Sequence, residues 1–215
     1  ETSNPDLVAD LQGDCKTIYG TIARILEKRM ADNAGPLTLL NCDNVRHNGE
    51  RFHDGLVEFL QLTGRQALVE WLAANANCPN TMVDRITPAT TDADRAHVNA
   101  VIGMEDAWPV VTEQFVQWVI EDEFTMGRPD WTVAGAVFSD EIERWENMKL
   151  RCLNGSHSTL SYLGQLTGRE TVADAMQLPL ITDILDPLWL EIREVLVAPK
   201  GVDTAAYVES LKQRY

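Results

Sequence analysis

Met148-Lys149-Leu150-Arg151-Cys152-Leu153-Asn154-Gly155-Ser156-His157-Ser158 sets a lysine, a carboxamide and an imidazole within nine residues of an otherwise apolar segment with helical spacing. On an α-helix, at roughly 100° per residue and with Lys149 as origin, His157 falls near ~80° and Asn154 near ~140°. The three polar groups then share one broad face, while Cys152, Leu163 and Leu166 gather on another. A solvated face more often mixes Glu with Lys. A surface lysine beside an Asn and a His that satisfy nearby backbone groups fits the same spacing, so periodicity alone leaves both readings open.

Outward from this stretch the two sides differ. After Ser139-Asp140 everything reads as helix: a long one through Lys149 to near Gly168, a short one at about 170–177, one from Asp186-Pro187 to Val197 with Pro at N1, and one from Asp203 onward. Before it, helices alternate with short strands, the pattern of an α/β fold. Residues 1–13 read as a polar loop, and Asp14 is the expected cap of a helix carrying Ile18, Ile22, Ile25, Leu26 and Met30. Gly35-Pro36 stops that helix, and Leu37–Leu40 follows as a buried parallel strand. Its carboxyl end carries Asn41-Cys42-Asp43-Asn44 and then Asn48-Gly49, and ligands of open α/β sheets sit at such ends. An Asn- and Gly-rich turn reads the same way.

Two helices occupy Phe52 to Ala76, divided at Gly64. Leu-Thr-Gly-Arg occurs at 62–65 and again at 166–169, which we read as two glycine helix stops rather than a repeat. Met82-Val83 and Ile86 suggest an edge strand with an exposed Asp84-Arg85 pair, Phe115–Ile120 and Ala136–Phe138 are further strands, and a helix at about 92–102 carries a surface His97. The expected domains are 1–140 and 141–215.

At 215 residues and 45% hydrophobic the chain can bury a sizeable core. Its net charge of −15, from 33 acidic and 18 basic residues, disfavours nucleic acid and anionic membrane as partners. The cysteines Cys15, Cys42, Cys78 and Cys152 form no CxxC pair and read as reduced cytoplasmic thiols. No apolar run approaches the ~20 residues that span a bilayer.

Met148–Ser158 followed by Tyr162-Leu163-Gly164 closely resembles the signature of the long-chain mannitol dehydrogenase and fructuronate reductase family. The Cys42-Asp43-Asn44 triplet with Asn48-Gly49, the run Val83-Asp84-Arg85-Ile86-Thr87-Pro88, Gln117–Asp122 and Gly127–Trp131 resemble it as well, so the likeness covers most of the chain. It implies the distal part of a Rossmann-type NAD-binding domain followed by the start of a helical C-terminal domain. It also implies NAD (or NADP) as cofactor, and hydride transfer between a sugar alcohol or sugar acid and its 2-keto form: mannitol/fructose or mannonate/fructuronate. Gly155 stands where some mannitol enzymes carry Ala, which leans toward the fructuronate version. A carboxylate substrate would call for a basic partner, for which Arg46, Arg85 and Arg151 are candidates.

On the resemblance, Lys149 is the general acid/base, Asn44 and Asn154 donate to the substrate oxygen, and His157 orients substrate or lysine. Asp84 contacts substrate, and Val83, Asp84 and Cys42 border the cofactor. A lysine can act as base only when burial brings its pKa well below the ordinary ~10.4. Amide donors stabilise a growing oxyanion without titrating, and losing one costs roughly 10²–10³ in rate. The family uses no metal, and no HxxE, CxxC or HExxH cluster stands in the chain. The Gly-rich phosphate loop is not present either, so the chain reads as the middle of a monomeric or weakly oligomeric enzyme, expected to turn over little by itself. The competing reading is a truncated, non-catalytic homologue acting as a scaffold; an acidic hydrolase is poor, since no nucleophile–base pair stands out.

Overall fold

The computed structural model describes residues 4–215, which form two units meeting in sequence between Phe138 and Ser139. The first is α/β, the second all-helical. The first unit begins with α1 (Pro5–Leu11) and α2 (Ile18–Ala31). Residues 4–13 are thus mostly helix, not loop; 1–3 lie outside the described residues. The overlooked signal is Asn4-Pro5: Asn4 Oδ1 accepts from Asp6 and Leu7 N–H, and Pro5 opens the first turn. Nor does Asp14 cap α2. Thr17 is the cap residue, and buried Asp10 accepts from Lys16 N (2.6 Å), Thr17 N (2.8 Å) and Thr17 Oγ1 (2.6 Å). Gly20 is required beside it, because a Cβ there would fall 2.5 Å from Asp10 Oδ2.

The strand β1 is only Leu37–Thr38, shorter than the apolar run. The helices α3 (Asn48–Leu62) and α4 (Gln66–Asn75) lead from it to β2 (Ala76–Asn77), which pairs parallel to β1. Leu62-Thr63-Gly64-Arg65 ends α3 as expected, with Gly64 at φ 71° and Arg65 N–H returning to Leu60 O. Leu166–Arg169 repeats the device, with Gly168 at φ 71° and Arg169 N–H on Gly164 O. Ala23, Leu26, Leu56, Phe59, Leu60, Leu68 and Leu72 fill the core between α2, α3 and α4. A second sheet orders β3 (Thr81–Asp84), β4 (Gln117–Ile120) and β5 (Val137–Phe138), the first pair antiparallel and the second parallel. Between its strands lie α5 (Asp92–Ile102), which carries an exposed His97, and a 3₁₀ turn at Trp131–Ala134.

Two of the recognised motifs build scaffold. Trp118 stacks on Trp131 with ring centroids 5.2 Å apart, and Arg128 holds Asp122 with both nitrogens (2.6 and 2.8 Å). Those hydrogen bonds outweigh partial desolvation and hold the Asp122 carboxyl below the usual carboxylate range.

The second unit runs α6 (Ile142–Met148), a π-helical segment (Lys149–Asn154), α7 (Gly155–Leu166), α8 (Val172–Met176), α9 (Pro179–Val195) and α10 (Thr204–Arg214). Against the expectation from the sequence, no helix starts at Asp186-Pro187; Pro187 lies inside α9, which Pro179 opens. An interior proline costs ~3 kcal/mol. Ile181, Leu185 and Trp189, spaced four apart and all buried, offset it at ~1.5–3 kcal/mol each. Among the described residues no helix is long and apolar enough to cross a membrane.

Candidate active site

In the first unit the carboxyl end of β1 opens into the loop 41–47, which is tied down by carboxamides. Asn48 is fully buried. Its Nδ2 reaches Asp43 O (2.9 Å), Thr81 Oγ1 (2.9 Å) and Asn41 O (3.3 Å), and its Oδ1 accepts from Thr81 N–H (2.8 Å). Asn41 donates back to Asn48 O at 3.1 Å and accepts from Asp43 N–H at 2.9 Å. Asn80 Oδ1 takes Gly49 N–H (3.0 Å) and Glu50 N–H (3.2 Å) at the start of α3. Gly49 is needed there, since a Cβ would overlap the Cys78 and Pro79 carbonyl oxygens. His47, in the left-handed region at φ 51°, completes the turn into α3.

This frame places the first-unit candidates. Asn44 is exposed at the loop tip, its N–H bonded to Asp43 Oδ1 (2.9 Å). Cys42 is exposed but its thiol reaches Thr81 and Trp118; partial burial pushes its pKa up against those hydrogen bonds, so it stays a neutral thiol. Val83 follows Thr81 on the same face of β3, half-buried. Asp84 is not the exposed member of an edge pair: it is 4% exposed, and Arg85 Nε instead donates to Glu113 O at 3.1 Å.

The second unit changes the helical reading of Met148–Ser158. Gly155 N–H donates to Leu150 O, five residues back, and residues Lys149–Asn154 form a π turn. Lys149 and Asn154 are five apart, an interval that a π turn brings closer to one full turn than an α turn does. Exposure rises along the three polar positions: Lys149 is 7% exposed, Asn154 is half-buried and His157 is exposed. The opposite face shifts. Cys152 is buried and its thiol pKa is pushed up to about 11 by burial, but Leu163 is half-buried and Leu166 is 82% exposed. Ser156, Leu160 and Gly164 are the residues buried on α7 instead.

The π turn is held by side chains that the sequence did not single out. Ser156 Oγ donates to Cys152 O (2.5 Å) and lies 3.0 Å from Leu153 O. Trp189 Nε1 of α9 donates to Cys152 O (3.1 Å), and the Tyr215 hydroxyl lies 2.9 Å from Leu153 O and 2.7 Å from Ser156 Oγ. The His157 and Tyr215 rings are 6.2 Å apart. Buried Glu146 precedes Lys149 by three positions, one turn back on α6. Among the described residues no three His, Cys, Asp or Glu side chains are grouped to hold a metal.

The family model of the mannitol dehydrogenase Rossmann domain matches residues 3–133, and that of the mannitol dehydrogenase C-terminal domain matches 141–215. The chain belongs to the mannitol dehydrogenase family. It is 52% identical over its whole length to D-arabinitol 4-dehydrogenase of Klebsiella pneumoniae, covering 47% of that protein. It is 38% identical over its whole length to mannitol 2-dehydrogenase of Aspergillus terreus, covering 44% of it. Among solved structures, the ternary complex of Pseudomonas fluorescens mannitol 2-dehydrogenase with NAD and D-mannitol matches with a TM-score of 0.85 at 39% identity, over 98% of this chain and 43% of that one. The chain spans less than half the length of these relatives. Its fold is that of the family, a Rossmann-like part followed by a helical one. An added Cβ at Gly155 would meet only Leu150 O, at 3.7 Å, so the protein itself does not require glycine there.

Proposed function

We propose that the protein containing this chain oxidises an alditol to a keto sugar with NAD, with Lys149 as its general base. The observation that carries the reading is the placement of Lys149, 7% exposed, at the head of a π turn that ends at Asn154. A lysine that serves as a base needs a place held away from bulk water, and this position supplies one. NAD, when bound, accepts the hydride that leaves the carbinol carbon. Lys149 takes the hydroxyl proton as that C–H bond breaks and the C–O bond becomes a carbonyl; in reduction its ammonium returns the proton. The Asn154 amide donates to the oxygen while its charge grows. His157, exposed three residues on, is a substrate contact.

In the first unit we assign Asn44 as a carboxamide donor, Asp84 as a substrate contact, and Cys42 and Val83 to the nicotinamide edge. Asn44 and Cys42 stand on the loop, Val83 and Asp84 on β3, and buried Asn48 ties the two together through four hydrogen bonds, which supports this. Among substrates D-arabinitol stands first, on the 52% identity to an arabinitol dehydrogenase, and D-mannitol second.

The test is reduction of NAD and of NADP by the full reading frame with D-arabinitol, D-mannitol and D-mannonate, for wild type and Lys149→Ala. We expect NAD-linked oxidation of an alditol that falls by orders of magnitude in the variant. Oxidation of mannonate alone would move the substrate to the hexonates. A variant as fast as wild type would remove Lys149 from the chemistry, and no turnover with any of the three would favour a scaffold.

A further inference from the structure

Three side-chain donors, from three places in the second unit, converge on two adjacent backbone carbonyls, those of Cys152 and Leu153. Inside a regular α-helix such carbonyls are occupied by the ladder, and a serine bonding four residues back tends to bend the helix. Here the two carbonyls stand where five-residue hydrogen bonding gives way to four-residue bonding. A side chain that inserts into the ladder is one of the few physical causes of a local departure from α geometry.

We infer that Ser156, Trp189 and Tyr215 are positioning residues: by holding the Cys152 and Leu153 carbonyls they lock the π turn and so fix the spacing of Lys149 and Asn154. Ser156 and Trp189 are buried and share the Cys152 oxygen. The Tyr215 hydroxyl lies within reach of both Leu153 O and Ser156 Oγ, so it and Ser156 share their two protons among the Cys152 and Leu153 carbonyls and each other, one network. None of the three needs to touch the substrate. Without them the segment is free to relax to α spacing, which rotates Asn154 away from Lys149. This rests on the assignment of Lys149 as the base.

The experiment uses the full-length enzyme with Ser156→Ala, Trp189→Phe and Tyr215→Phe, each of which removes a donor and keeps most of the packing. The readings are kcat for alditol oxidation, KM for NAD, and the primary isotope effect with substrate deuterated at the carbinol carbon. Misplacement of a catalytic group by about 1 Å costs on the order of a hundredfold. We expect kcat to fall roughly tenfold to a hundredfold with a larger isotope effect, and KM for NAD to stay put. Folded variants with wild-type kcat and isotope effect, whatever their Tm, would overturn the inference. Should the two buried variants not fold, Tyr215→Phe decides alone, since it deletes one oxygen from a half-buried ring. A Lys149→Ala variant as fast as wild type would overturn the base assignment and this inference with it, through a result in which the donor variants play no part.

Discussion

The loop after β1 and the π turn before α7 face the same problem and solve it with different chemistry. Both leave regular structure, so both must find partners for backbone groups that a ladder would otherwise occupy. The loop uses carboxamides: Asn41, Asn48 and Asn80 each accept and donate, and together they bind residues 41–50 to the start of β3. The π turn uses single donors, a hydroxyl, an indole and a phenol, all aimed at carbonyls. An amide clamp closes on both N–H and C=O and leaves no slack. Donors that cap carbonyls alone leave the helix intact around them, so the turn can change register without the unit unfolding. The first arrangement therefore serves stability, the second geometry.

Glycine substitution gives the sharpest contrast. Gly49→Ala pushes a methyl into two backbone carbonyls that cannot yield, so we expect loss of folding or a destabilisation beyond ~4 kcal/mol in urea unfolding followed by CD. Asn48→Ala comes next, at about 3 kcal/mol, because it strands the Thr81 N–H and the loop carbonyls in the interior. A stability change under ~1 kcal/mol would mean that the loop is not held as described.

Asp10 offers the same kind of clamp built from a titrating group. Burial raises its pKa, but hydrogen bonds from Lys16 N–H, the Thr17 hydroxyl and the Thr17 and Gly20 N–H groups outweigh this, and the net direction is down. Its folded pKa thus lies below the unfolded value of about 3.9. Its stabilisation is complete above that pH and is lost as pH falls through the folded value. In Asp10→Asn we expect Tm to be lower at neutral pH and flatter on acidification than in wild type; parallel Tm–pH curves would reject the assignment. The smallest effect belongs to the π turn. Gly155 has helical φ (−61°) and an added Cβ would meet only Leu150 O at ordinary van der Waals distance (3.7 Å), so Gly155→Ala is expected to leave stability unchanged or raise it by up to ~1 kcal/mol, read from the same unfolding curves.

The loop was legible in the sequence because Asn and Gly mark irregular backbone, and residues 41–49 carry three Asn and one Gly. Asn48, the residue that holds it, was read only as half of a turn dipeptide, since burial of an Asn is a tertiary fact. The helices of the core were legible for the same kind of reason: Leu56, Phe59, Leu60, Leu68 and Leu72 keep the period that burial demands. Position 187 was not, because a proline signals a helix start only where no apolar face runs through it. The π turn was the least legible feature. Its residues keep an apolar rhythm that α spacing also accommodates, and what selects the wider turn is the indole of Trp189 and the phenol of Tyr215, 37 and 62 residues away.

A turn whose hydrogen bonds span five residues holds one residue more than the α turn it replaces, with no break in the helix on either side. In genetic terms the five-residue interval from Lys149 to Asn154 is an α turn plus a single codon. An in-frame deletion of one residue in Leu150–Leu153 would return an ordinary α turn with the lysine and the asparagine four apart, still on one face; a second deletion would part them. Insertions and deletions, not only substitutions, are therefore a natural unit of variation in this helix.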